Sequence, residues 1–171
     1  MYHPTIFENL KVAFENQIYD LDNLDRRITI VNRVDRMDFA ILARELAIQF
    51  VLADQPDVKA EVVLETSLKD LAGEILEMPG TNPGCFLSLR FAKLIQHAPV
   101  QCKQIEEALS AIWEDDIELT QTLSYVYGQD ESNPLNHIEV KFKLILNEEN
   151  MMEIGPFLQS VLEALEVLNR I

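Results

Sequence analysis

Between Ile117 and Leu146 the chain keeps a two-residue rhythm twice over. Ile117, Leu119, Leu123, Tyr125 and Tyr127 alternate with Glu118, Thr120, Thr122 and Ser124. After a polar stretch, Ile138, Val140, Phe142, Leu144 and Leu146 alternate with Glu139, Lys141 and Lys143. Successive side chains of a strand point to opposite faces, so this spacing predicts two half-buried strands joined by a loop around Asn133 and Pro134. One face of such a pair must be covered, and residues 151–168 can cover it. Phe157, Leu158, Val161, Leu162, Leu165 and Leu168 recur there at helical spacing. Asn147 is a good cap, and Gly155 with Pro156 predicts a short first turn, a break, and a main helix over 156–169.

The same periodicities organise the rest of the chain. Thr5 and Glu8 have capping-box spacing ahead of a helix over 6–20, whose Phe7, Leu10, Phe14, Ile18 and Leu21 form one apolar stripe. The β-branched run over 27–37 predicts a strand. Residues 39–53 carry two patterns: Phe39, Leu42, Leu46 and Phe50 keep helical spacing, whereas 47–52 running into Asp54, Gln55 and Pro56 reads as a strand entering a turn. The extended reading is preferred, with 47–52 pairing back onto 61–65. Ser67 and Asp70 cap a helix that turns Leu68, Leu71, Ala72, Ile75 and Leu76 to the core and stops at Pro79 and Gly80. Residues 85–94 alternate again. Pro99 then suits the first turn of a helix burying Val100, Ile105, Ala108, Leu109, Ile112 and Trp113.

The order is therefore helix, three strands, helix, strand, helix, two strands, helix. Strands that follow strands through short connections favour antiparallel pairing, so the expected fold is α+β: two layers, a mostly antiparallel sheet, helices packed chiefly on one face. With 171 residues, 48% of them hydrophobic, and no Gly- or Pro-rich linker, a single domain over 1–171 is expected. No apolar run approaches the roughly 20 residues of a membrane span and no basic-then-apolar leader opens the chain, so a cytoplasmic protein without membrane contact is expected. The closing hairpin and amphipathic helix are similar to the end of the type III secretion chaperone and YbjN-like domains, which are also small and acidic. That likeness is architectural and covers about the last third of the chain.

Charge narrows the function classes. Acidic residues number 29 against 14 basic ones, a formal charge of −15, which opposes condensation on nucleic acid. Within that acid excess, Arg26, Arg27, Arg33, Arg36 and Arg44 crowd one stretch. Guanidinium groups bind oxyanions bidentately, so Arg33 and Arg36, with Arg90, are the candidate ligand residues; the competing reading is that they neutralise the protein's own acids, Asp22, Asp25, Asp35 and Asp38 among them. His3, His97, His137, Cys85 and Cys102 lack zinc-ligand spacing, and Asp20, Asp22 and Asp25 lack the glycine and closing glutamate of a calcium loop. The loop over 78–84 lacks the Lys-Ser/Thr pair that ends a phosphate loop, and Glu114, Asp115 and Asp116 are consecutive rather than convergent. No catalytic residue, cofactor or metal is expected, and both thiols are expected free. The reading is a non-enzymatic binding or accessory protein, chaperone-like, that recognises another protein or a second copy through a sheet face or helix groove. The alternative is an anionic-ligand binding protein or enzyme built on Arg33, Arg36 and Arg90.

Overall fold

The computed structural model describes residues 5–80, 82–129 and 131–171; His3 and Thr81 lie outside them. Its elements follow the expected order: α1 (Ile6–Asn23), β1 (Ile28–Asp38), β2 (Ala43–Leu52), β3 (Gln55–Thr66), α2 (Leu68–Ile75), β4 (Cys85–Leu94), α3 (Ala98–Trp113), β5 (Ile117–Ser124), β6 (Leu135–Leu146) and α4 (Ile154–Arg170). The strands form one sheet in the order β1-β2-β3-β4-β6-β5, every neighbouring pair antiparallel. Residues 43–52 are strand throughout, with Ala47 opposite Val63 and Gln49 opposite Glu61, as the extended reading of that segment requires.

Helices α1, α3 and α4 lie on one face of the sheet. Phe14, Phe50, Phe91, Leu89, Val140, Val161, Leu165 and Leu168 are buried between the layers. Burying each such side chain fully is worth about 1.5–3 kcal/mol, and together they pin the helices to the sheet. The terminal helix does not lie chiefly over the last two strands, the cover expected for it. It packs over β2 and β3, reaching β6 through Phe157, whose ring meets Phe142 edge-on at 5.3 Å; α3 covers the edge strand β5. The widest apolar stripe thus sits over the middle of the sheet, where its neighbours are buried all round.

Local chemistry sets the boundaries. Thr5 accepts from the Glu8 amide as its spacing predicts, but the Glu8 carboxylate turns away to Arg44. Asn147 and Asn150 make a reciprocal capping box over a 3-10 turn, Glu148–Glu153, and α4 then begins at Ile154. Pro156 therefore falls in the first turn, where its missing amide costs no helical bond and no kink is needed. Gly84 is obligatory for packing: a Cβ there would collide with the Ile145 side chain and the Leu146 carbonyl.

Two expected apolar faces are not buried. In α2 only Gly73 is buried, and Leu68, Ile75 and Leu76 point to solvent. The helix is only eight residues long and hangs at the end of the sheet, beyond the reach of the core. Likewise β5 ends at Ser124, and Leu123 near its end and Tyr125 and Tyr127 beyond it are exposed. Val100 also faces solvent, and Leu144 is pushed out at an irregularity where Leu87 of β4 faces extra residues of β6.

Candidate functional site

A second irregularity, in β1, decides where the candidate arginines go. The register with β2 shifts between Ile30 and Asn32, so that inward positions change parity. Ile28 faces the helices before the shift; Arg33 and Asp35 face them after it. Arg33 consequently meets Glu15 of α1 at 2.9 Å and Lys11 meets Asp35 at 2.8 Å. Asp35 and Glu15 in turn hold Lys11 protonated to higher pH than usual, and Glu15 does the same for Arg33, each against the pull of burial. Arg44 completes this network, binding Glu8 and Asp35 with its guanidinium 4.5 Å above the Phe7 ring.

Arg36 and Arg90 lie on the opposite, helix-free face. Arg36, Glu45, Glu65 and Phe86 stand side by side across β1, β2, β3 and β4, while Glu61, Arg90 and Glu139 form a parallel row. Arg36 pairs with Glu45 at 3.1 Å and Arg90 with Glu61 at 3.0 Å. The sheet therefore separates Arg33 from the other two, and each guanidinium is already met by a carboxylate. The three do not line one pocket.

The structure gathers a different set of residues at the end of the sheet where β1 turns into β2. Asp38 and Ala43 close this hairpin, leaving Phe39, Ala40, Ile41 and Leu42 as its tip, with Leu42 at φ +52°. Phe39 is 82% exposed and Ile41 60%. Beside the tip runs an open groove of about 620 Å³, lined by Arg36, Met37, Ile41, Glu45, Glu65, Ser67 and Phe86 among others. A neighbouring groove of about 520 Å³ continues it past Arg44 to Leu71 and Ile75 of α2. The exposed side of α2, the hairpin tip and the start of β4 thus make one apolar margin around two grooves. Glu65 lies within it. Burial raises its carboxyl above the ordinary carboxylate range, and Glu45 directly across the strand pair raises it further, with Arg90 opposing.

Sequence periodicity missed this surface because it assigned the apolar residues of α2 to the core. Phe39, Ala40, Ile41 and Leu42 were the available signal: four apolar residues where a hairpin turn should be polar. Of the thiols, Cys85 is buried, which pushes it up to about 12, and Cys102 is partly buried; neither forms a disulfide. Among the described residues no three His, Cys, Asp or Glu side chains converge as a metal site, and no helix is long and apolar enough to cross a membrane.

Fold and surface together define a two-layer α+β protein whose most distinctive exposed feature is an apolar margin at one end of an antiparallel sheet. Comparison with protein families, with curated proteins and with solved structures finds no match to this chain.

Proposed function

We propose that this is a non-enzymatic binding or accessory protein, chaperone-like in the sense that it holds another protein, and that the apolar margin formed by the β1–β2 tip and α2 is its docking surface. One observation carries the reading: Ile41, Ile75 and Phe86 are exposed and line two adjoining grooves, with Phe39 exposed on the same hairpin tip and Leu68 and Leu76 exposed at the two ends of the same short helix. Large apolar side chains left in water beside a groove are costly, and in folded proteins such surface marks interaction sites. Arg36, Arg44, Glu45 and Glu65 line the grooves and give a partner polar groups to orient on, as the rim of an interface does. Arg33, Arg36 and Arg90 are assigned no ligand, since each is occupied by a carboxylate of this chain.

The test compares wild-type protein with the Phe39→Ser/Ile75→Ser double variant in quantitative affinity capture from native-cell extract. Both side chains are exposed, so the variant should keep the wild-type Tm. The expected result is a stoichiometric partner retained by the wild type and reduced at least about tenfold by the variant, ~1.4 kcal/mol. Equal retention by the variant, or no stoichiometric partner together with a strictly monomeric mass in light scattering, would refute the reading.

A further inference from the structure

At the opposite end of β1 the arginines behave differently. Arg26 and Arg27 enter the strand, Arg170 ends α4, and the three line one open cleft of about 540 Å³ together with Asp54, Gln55 and Glu166. Arg33, Arg36, Arg44 and Arg90 each pair with a carboxylate, yet among the described residues none of these three does. The Arg27 guanidinium donates only to the Gln159 amide oxygen, at 2.8 Å. In a chain with 29 acids and 14 bases, paired guanidiniums are the expected outcome. Three unpaired ones converging on a cleft reverse that expectation. The backbone holds them in place: the Arg27 amide donates to Leu21 and its carbonyl accepts from Ala53, while Arg26 sits at φ +54°, a region that L residues rarely adopt. Arg170 also complements the carbonyl end of α4, but that role accounts for neither Arg26 nor Arg27.

We propose that this cleft binds a small organic oxyanion, a phosphate- or carboxylate-bearing molecule that also carries hydroxyl groups. Guanidinium forks match the oxygens of either anion bidentately. The volume lies within the roughly 300–1,000 Å³ of small-molecule sites and exceeds what a bare phosphate ion needs. Asp54 and Glu166, unpaired in the same cleft, supply acceptors for hydroxyls.

Isothermal titration of the full-length protein at low ionic strength decides the matter, with a hexose monophosphate, citrate and inorganic phosphate as probes. The expected result is saturable binding of the hexose monophosphate or citrate, tighter than inorganic phosphate, weakened at least about tenfold (~1.4 kcal/mol) by Arg26→Gln or Arg170→Gln. Arg36→Gln and Arg90→Gln should leave it unchanged. All four side chains are exposed, and a matching Tm verifies folding. Three results overturn the proposal: no binding of either organic probe, inorganic phosphate binding as tightly as both (an adventitious ion only), or equal losses from the Arg36 and Arg26 variants. Binding confined to phosphatidylserine vesicles, with the soluble probes inert, overturns it as well.

Discussion

The two ends of β1 use the same raw material in opposite ways. At its far end, near the hairpin tip, Arg36 and Arg44 are paired with carboxylates while large apolar side chains stand in water. At its near end the apolar side chains Ile28 and Leu52 are buried and it is the guanidiniums of Arg26 and Arg27 that stand unpaired. In each place one kind of group is left unsatisfied by the fold itself: greasy surface at one end, cation at the other. Exposed apolar side chains also stand at the end of β5, at Leu123, Tyr125 and Tyr127; what sets the two ends of β1 apart is that each gathers one kind of group beside a groove or cleft.

Both ends hang on one core, which gives the largest expected effect. Phe50 is fully buried in β2 between them, and Phe50→Ala should destabilise the fold by about 3–5 kcal/mol through lost contact and a residual cavity. Chemical denaturation measures this. If the ends are two properties of one folded unit, partner capture and anion binding fail together in this variant as denaturant rises. Loss of one with the other intact would show that the ends fold separately.

A smaller effect separates the paired arginines from the unpaired ones. Arg44 bridges Glu8 of α1 and Asp35 of β1 and covers Phe7, so Arg44→Gln loses ion pairs and a cation–π contact in a partly buried setting. A cost of about 1–2 kcal/mol is expected, discounted for partial exposure. Arg26→Gln removes no intramolecular partner and should shift stability by no more than about 0.5 kcal/mol. Equal destabilisation by the two substitutions, in parallel denaturation curves, would erase the distinction on which the near-end site rests.

How much of this was written in the sequence differs between the ends. The strands and helices were legible because their periodicities are local, down to the alternation over 85–94 and the start of a helix at Pro99. The arginine assignment was not, because it depends on a one-residue irregularity between Ile30 and Asn32. A strand extrapolated without that shift puts Arg33 on the outer face, alongside Val31. With it, Arg33 faces α1 and Arg36 faces away. Arg170 is more than a hundred residues from Arg26, so only tertiary packing of α4 brings them together. In α2, Leu68, Ile75 and Leu76 do have the spacing of a buried stripe; periodicity reports that a face is apolar and leaves open whether anything covers it.

The smallest prediction concerns the carboxyl pair in the far-end groove. Glu65 stands directly opposite Glu45, and burial and that neighbour raise its carboxyl above the value it has in the unfolded chain. The folded protein therefore holds this proton more tightly than the unfolded one. Between the unfolded pKa, about 4.3, and the higher folded value, the folded state binds more protons. This group's contribution to stability accordingly falls as pH rises through that window, the reverse of a salt-bridged carboxylate. Glu65→Gln keeps the shape and removes the repulsion. At neutral pH it should stabilise the protein by at most about 1 kcal/mol, the scale of a like-charge pair across two strands. The gain should shrink toward zero as pH is lowered to about 4, where the wild-type carboxyl regains its proton in both states. Thermal melts of the two proteins across this range measure the difference. A variant less stable than wild type at neutral pH would mean that the ionised Glu65 is held favourably by Arg90, and that the groove at the apolar end is electrostatically as settled as the rest of the sheet.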